Sequence, residues 1–223
     1  MVEALDGEDG SHWAGQDADV PRRPQAVDAR TILAAALTLF AERGYRATTM
    51  SDIGAAIGIR GPSLYRHVSS KQLLLGEIMV GTMRALIADQ QAALDAGGDV
   101  TLQLRRMVEA HVRYHAAHRE QAFVGNREIG NLEQPYRDQV LRLRQTYERG
   151  LRSVIERGCA EGDFKVAEPR LASYAILDMG MGVSAWFRPD GPYSAEQIAY
   201  TYADYAIRML TGRSPDGATT ADA

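Results

Sequence analysis

Residues 48–68 read Thr-Thr-Met-Ser-Asp-Ile-Gly-Ala-Ala-Ile-Gly-Ile-Arg-Gly-Pro-Ser-Leu-Tyr-Arg-His-Val, two short helical patterns on either side of a glycine turn. Thr49 followed three residues later by Asp52 has capping-box spacing, and Ile53, Ala56 and Ile57 give the first helix one apolar face before Gly58 ends it. Beyond Ile59 and Arg60, Gly61 can serve as N-cap with Pro62 at the first helical position, where a missing N–H costs least. The second helix is expected to run about two turns. Such a pair is a helix-turn-helix, and its second member fits end-on into a major groove about 12 Å wide. Ile53, Ile57, Ile59 and Leu64 supply the apolar contacts, while Arg60, Ser63, Tyr65, Arg66 and His67 crowd the second helix.

Upstream, Ile32, Leu33, Ala36, Leu37, Leu39 and Phe40 follow the 3, 4, 7 spacing of an amphipathic helix from Asp28 to Arg43, stopped by Gly44. Downstream, Ser69 with Gln72 repeats the capping-box spacing and opens a helix that runs to about Leu94, where Gly97 and Gly98 break it. Further helices are expected near 100–117, 120–132, 136–161, 168–187 and 194–211. No stretch alternates with period two, so the fold class is all-α. The expected order is a disordered tail over 1–26, a three-helix helix-turn-helix domain over 27–75, a larger helical domain over 76–212, and a disordered tail over 213–223.

Charge divides along the chain in the same way. The net charge of -4 hides a segment, residues 22–75, with eight bases against three acids, whereas residues 1–21 carry six acids and no base. A basic stretch inside an acidic protein is a localised footprint for phosphate. The longest apolar run, Tyr174 to Phe187, contains Asp178 and several small residues and falls short of the ~20 residues a membrane span needs. No basic, apolar leader opens the chain, and the single cysteine, Cys159, suits a reducing cytoplasm.

The residues Ala41-Glu42-Arg43-Gly44-Tyr45, Thr48 to Ile53, Gly58-Ile59, Ser63 to Val68, and Ser70-Lys71 with Leu73-Leu74 together resemble the signature of TetR-type transcriptional regulators over about 50 residues. The resemblance implies an N-terminal DNA-binding domain and a C-terminal domain that binds ligand and dimerises. It makes Thr49 a cap that presents backbone N–H groups to a phosphate, and Tyr65, His67 and Lys71 further phosphate contacts, which set register and not sequence. Arg46 and Thr48 join this DNA-facing set. Arg60, Gly61, Pro62 and Ser63 lead the recognition helix as candidates for base edges, with Arg66 able to meet base or phosphate. Arg60, Pro62, Gly54 and Val68 depart from the residues most frequent in the family, and the first two alter the reading head.

The family also implies where the remaining functions lie. Met83, Met107, His111, Phe123, Met179, Val183 and Trp186 fall on helices that surround its ligand cavity, and thioethers adapt to apolar guests. Tyr174, Leu177 and Met181 on one C-terminal helix, and Tyr202, Tyr205 and Met209 on the next, fall where it builds a homodimer interface. Gly180, Gly182, Ser184 and Ala185 allow close helix approach or open space for a ligand. The stretch Trp186 to Pro192 followed by Ser194 to Ile198 resembles actinobacterial regulators of lipid and sterol breakdown that respond to acyl-CoA thioesters. That likeness implies a small hydrophobic or acyl-CoA ligand, with Arg105, Arg106 or Arg119 meeting the phosphates.

His111, His115 and His118 share one helical face and present the spacing metals use, which keeps a metal-ion or drug sensor as an alternative. No acid or cysteine completes the set, so no metal site and no cofactor is expected. A catalytic reading finds no nucleophile paired with a base and no phosphate loop. The expected function is a transcriptional regulator, a cytoplasmic dimeric repressor released from a palindromic double-stranded operator by its ligand. A helical scaffold protein is the rival of another class.

Overall fold

The computed structural model describes residues 28–212, and the expected terminal tails lie outside them. Among the described residues there are nine α-helices and no strand: α1 (Ala29–Arg43), α2 (Met50–Ala56), α3 (Gly61–Leu64), α4 (Lys71–Asp95), α5 (Val100–Ala117), α6 (Arg119–Arg127), α7 (Tyr136–Glu161), α8 (Pro169–Trp186) and α9 (Ala195–Thr211). A single 3-10 turn, Ile129–Asn131, follows α6. No helix among the described residues is long and apolar enough to cross a membrane.

Local chemistry sets most of the boundaries. Asp28 Oδ1 accepts the N–H of Thr31 at 2.7 Å and starts α1, and the Gly44 N–H closes it onto Phe40 O at 3.0 Å. The box at α2 is complete: Thr49 Oγ1 accepts the Asp52 N–H at 3.1 Å, and Asp52 Oδ2 accepts the Thr49 N–H at 2.8 Å. A side chain at Gly54 would lie 2.9 Å from the Ile59 carbonyl, so only glycine lets the turn fold back onto α2.

Three expected boundaries move. The cap of α4 is Ser70, whose Oγ accepts the Leu73 N–H at 3.1 Å, and not Ser69. Arg60 is the N-cap of α3 without a side-chain cap bond, Gly61 lies inside the helix, and regular helix ends at Leu64. Beyond it the N–H groups of Arg66 and His67 reach back only three residues, so the expected two turns tighten into one α-turn and a 3-10-like tail. The helix expected over 120–132 ends at Arg127, and its last turn tightens to 3-10.

Two apolar clusters carry the fold. One joins Ile32, Leu39 and Phe40 of α1, Ile53, Leu64 and Leu74 to Val124, Leu132, Val140 and Tyr147, so the N-terminal helices rest directly on the larger domain. The other joins Leu104, Val108 and Val112 of α5 to Val154, Ile155, Ile176, Val183, Ala203 and Leu210 of α7, α8 and α9. Leu177 packs against both.

Candidate nucleic-acid interface and ligand cavity

Leu64, fully buried, and Val68 pin the α3 region to the core, which leaves Arg60, Pro62, Tyr65, Arg66 and His67 on the surface. Gly61 and Ser63 are half-buried, and the Ser63 hydroxyl accepts from Arg66 Nη2 at 3.3 Å. The exposed set combines two guanidinium groups, a phenol and an imidazole within eight residues. Such groups can donate to phosphate oxygens and base edges.

The supporting residues divide differently from the expectation. Thr48 is fully buried, and its hydroxyl donates to Gly44 O at 2.9 Å and Leu39 O at 3.2 Å. Its side chain therefore belongs to the turn after α1, a correction to its expected DNA contact. Thr49 remains exposed, but its hydroxyl donates to Asp52 Oδ2 at 2.6 Å. That bond holds the Asp52 carboxyl below the usual range. Lys71 Nζ donates to the carbonyls of Tyr45 at 2.7 Å and Thr48 at 2.6 Å and sits over the Tyr45 ring. Burial pushes the Lys71 ammonium down, against Asp52 and Glu128, and one of its three protons is left for a phosphate.

A hydrogen-bonded joint links this region to α6. Glu128, buried at the end of α6, accepts the Tyr45 N–H through Oε1 at 3.3 Å. Its Oε2 accepts from Asn131 Nδ2 at 2.5 Å, and Asn131 Oδ1 accepts from Arg46 Nε at 2.7 Å. Gln72 Nε2 donates to Asn131 O at 2.7 Å. Sequence periodicity held no sign of this joint, because its partners stand 59 to 85 residues apart.

Behind the joint lies a cavity of about 290 Å³ between α4, α5, α6, α7 and α8. Met83, Leu86, Leu177 and Met181 supply apolar walls, and Gln121, Asn126, Arg144, Glu148 and Asp178 supply polar ones. His111 Nε2 faces the Leu177 carbonyl at 3.0 Å and must donate to it, so Nδ1 accepts the Tyr147 hydroxyl at 2.8 Å. Burial lowers His111 to about 4 and His115 to about 3, so both imidazoles are neutral at ordinary pH. Burial also raises the Tyr147 phenol.

Of the residues expected at the ligand, Met83 and His111 line this cavity. Met107 and Val183 are buried in the second core, and Met179 packs against it. Phe123 is exposed beneath the Arg127 guanidinium. Trp186 is 48 % exposed with its ring 6.5 Å from that of Tyr202, so it belongs to the outer aromatic face and not to the cavity. Tyr174, Leu177 and Met181, expected at the dimer interface, line the cavity from α8. Tyr202 is half-buried, and Tyr205 and Met209 are exposed on α9. Arg144, Tyr147 and Glu148 are cavity residues that the periodicity did not single out, and His115, expected only within the metal-spaced histidine face, lines the cavity with them.

The small residues and the spare arginines also find their places. Gly180 admits the His111 ring, which a side chain there would strike, whereas Gly182 is exposed with open space around it. Arg105 lies 3.6 Å from Asp204, Arg106 donates to the carbonyls of Ala96 and Gly97, and Arg119 to Ser184 O. Both ring nitrogens of His111 are engaged, and among the described residues no cluster of three His, Cys, Asp or Glu side chains can hold a metal ion.

Residues 32–78 match the model of bacterial regulatory proteins of the tetR family, and residues 97–210 match the tetracyclin repressor-like C-terminal domain. The chain belongs to the tetR family of bacterial regulatory proteins. This tetR-family chain is 31 % identical over 181 residues to the HTH-type transcriptional repressor KstR2 of Rhodococcus jostii, covering 80 % of this chain and 89 % of that protein. Its fold superposes on the ketosteroid transcriptional regulator KstR2 of Mycobacterium tuberculosis with a TM-score of 0.76 and 28 % identity, over 83 % of this chain and 97 % of that one. AibR in complex with isovaleryl coenzyme A and operator DNA shares the fold, with a TM-score of 0.72 at 23 % identity over 82 % and 97 % of the chains. As a tetR-family member the chain is a DNA-binding transcriptional regulator and not an enzyme.

Proposed function

We propose that the chain is a cytoplasmic homodimeric repressor that occupies a palindromic operator and leaves it when a small hydrophobic ligand of the acyl-CoA type enters the cavity. The observation that carries this reading is the joint of Glu128 and Asn131. Helix α6 lines the cavity with Gln121, Ala122, Gly125 and Asn126, and its end holds the turn of Tyr45 and Arg46 beneath the reading head. A ligand that displaces α6 therefore moves the group that supports α2 and α3. A hundredfold loss of operator affinity needs about 3 kcal/mol of coupling, within the ordinary range.

Two further features support it. Leu171, Tyr174 and Trp186 on α8 and Tyr205 and Met209 on α9 leave a large apolar surface exposed, the composition of a surface that a second copy covers. A two-fold dimer presents two reading heads and calls for a palindrome. Repression and an acyl-CoA ligand follow the KstR2 repressors and the AibR complex. The test is a gel-shift titration of the protein against its own upstream region with and without octanoyl-CoA. Release of a specific complex by the thioester is expected, and failure to shift any upstream fragment would refute the reading.

A further inference from the structure

We propose that Arg144 is the anion-receiving residue of the cavity and that the ligand is an amphipathic anion, an apolar body carrying a carboxylate or phosphate. The inference rests on the reading of the cavity as a ligand site. Arg144 projects from α7 into the polar part of the cavity wall, beside Gln121, Gly125 and Asn126. Among the described residues no carboxylate lies within the 4.0 Å of an ion pair, and its Nη2 donates only to the Gly125 carbonyl, at 2.6 Å. A guanidinium has five donors, so most of its capacity is unspent.

Among the described residues Arg144 is the arginine of the cavity lining, and the ion-paired arginines of this domain stand outside that lining. Arg105 is paired with Asp204, Arg113 with Glu109 and Glu196, and Arg152 with Glu148 and Glu156. Glu148 stands one turn beyond Arg144 on the same helix, yet its Oε1 is taken by Arg152 at 3.3 Å and by the Ser173 hydroxyl at 2.8 Å. Asp178 lines the α8 side of the cavity without an ion pair to Arg144. Burial lowers the Arg144 pKa with no neighbouring charge opposing the shift. A partly desolvated cation with no acid beside it costs free energy that an incoming anion recovers through a bidentate pair.

The rest of the cavity fits the other half of such a ligand, since Met83, Leu86, Leu177 and Met181 offer apolar contact. The placement also supplies a route to the DNA. An anion on Arg144 competes with Gly125 O for the guanidinium, and Gly125 lies three residues before Glu128, which holds Tyr45. Ligand charge beside the last turn of α6 is thereby read at the cap of that helix.

Calorimetric titration of the full-length protein with octanoate, octanoyl-CoA and uncharged 1-octanol tests this. Wild type is expected to bind at least one of the two anions about tenfold more tightly than octanol, and Arg144→Gln to lose that advantage while binding octanol as before. Arg144→Lys keeps the charge without the fork and should retain part of the advantage. An effect confined to octanoate assigns a carboxylate ligand, and one confined to octanoyl-CoA a phosphate-bearing one. Equal binding of anion and octanol by wild type overturns the proposal, whether or not the variants fold. Undiminished anion binding by Arg144→Gln also overturns it. Operator affinity of the ligand-free wild type, measured in parallel, tests the repressor reading separately. Loss of operator binding by wild type itself would strike the repressor reading and leave the calorimetric result standing.

Discussion

The backbone N–H of Tyr45 donates to the buried carboxylate of Glu128, 83 residues further along the chain, over 3.3 Å. This bond joins a turn of the reading domain to the end of a cavity-lining helix. The same carboxylate accepts from Asn131, so a single side chain serves both the DNA-facing and the ligand-facing halves. Replacing Glu128 by Ala leaves the Tyr45 amide and the Asn131 amide without their partner. We expect a loss of about 1 to 3 kcal/mol in urea unfolding, and operator release that responds less to ligand than in wild type. A variant of unchanged stability and unchanged release would show that the joint transmits nothing.

Gly180 lies where the His111 ring passes α8, and a methyl group there meets that ring. Gly180→Ala should destabilise the protein by about 1 to 3 kcal/mol and disturb the His111 bonds to Tyr147 and Leu177. Gly81, on α4 with open space around it, is the control: its change to Ala should be neutral or stabilising by up to about 1 kcal/mol. Thermal denaturation of the two variants distinguishes them.

His111 and His115 are held neutral in the folded protein, with pKa values of about 4 and about 3 against 6.5 for an ordinary imidazole. Between these values the unfolded chain binds protons that the folded one refuses. The stability they confer is therefore full above pH 6.5 and falls as pH drops from 6.5 toward about 4 and below. The two together contribute a slope of up to about 3 kcal/mol per pH unit. Urea midpoints that stay flat from pH 7 to about 5 would contradict this.

The exposed face of α8 and α9 is expected to hold the dimer. Leu171→Glu combined with Tyr205→Glu places acids where Leu171 is 63 % and Tyr205 54 % exposed in the single chain. Neither change touches a buried contact, so the fold should survive while sedimentation shifts from dimer to monomer. Operator affinity should fall with it. A double variant that sediments as wild type would move the interface elsewhere.

Local signals were legible where the physics is local. Thr49 with Asp52, Gly58, and the 3, 4, 7 pattern of Ile32 to Phe40 marked the helix-turn-helix and its support. Spacing to Gln72 pointed to Ser69 and not to its neighbour Ser70, whereas the cap is decided by which hydroxyl meets an amide three residues on. Thr48 read as surface because a polar residue beside a cap carries no sign that its hydroxyl will be satisfied by Leu39 and Gly44.

The cavity was legible in part, for a different reason. Periodicity tells that Met107 and Val183 are buried but not against what, and both joined a closed core. Trp186 read as apolar wall, yet it stands where α8 ends and faces outward beside Tyr202. Arg144 lies on a helix dense in arginine and glutamate, and only the structure shows that it faces the cavity and that the neighbouring Glu148 is taken by Arg152.

Binding of the purified dimer to a palindromic fragment of its own upstream region, followed as salt is raised from about 50 to 200 mM, tests most directly that Arg46, Arg60, Tyr65, Arg66, His67 and Lys71 hold DNA. If these residues of both subunits neutralise six or more phosphates, log affinity should fall linearly with log salt, with a slope of about -5 or steeper. Affinity that is absent at low salt, or that does not change with salt, would contradict the assignment of this surface to an operator.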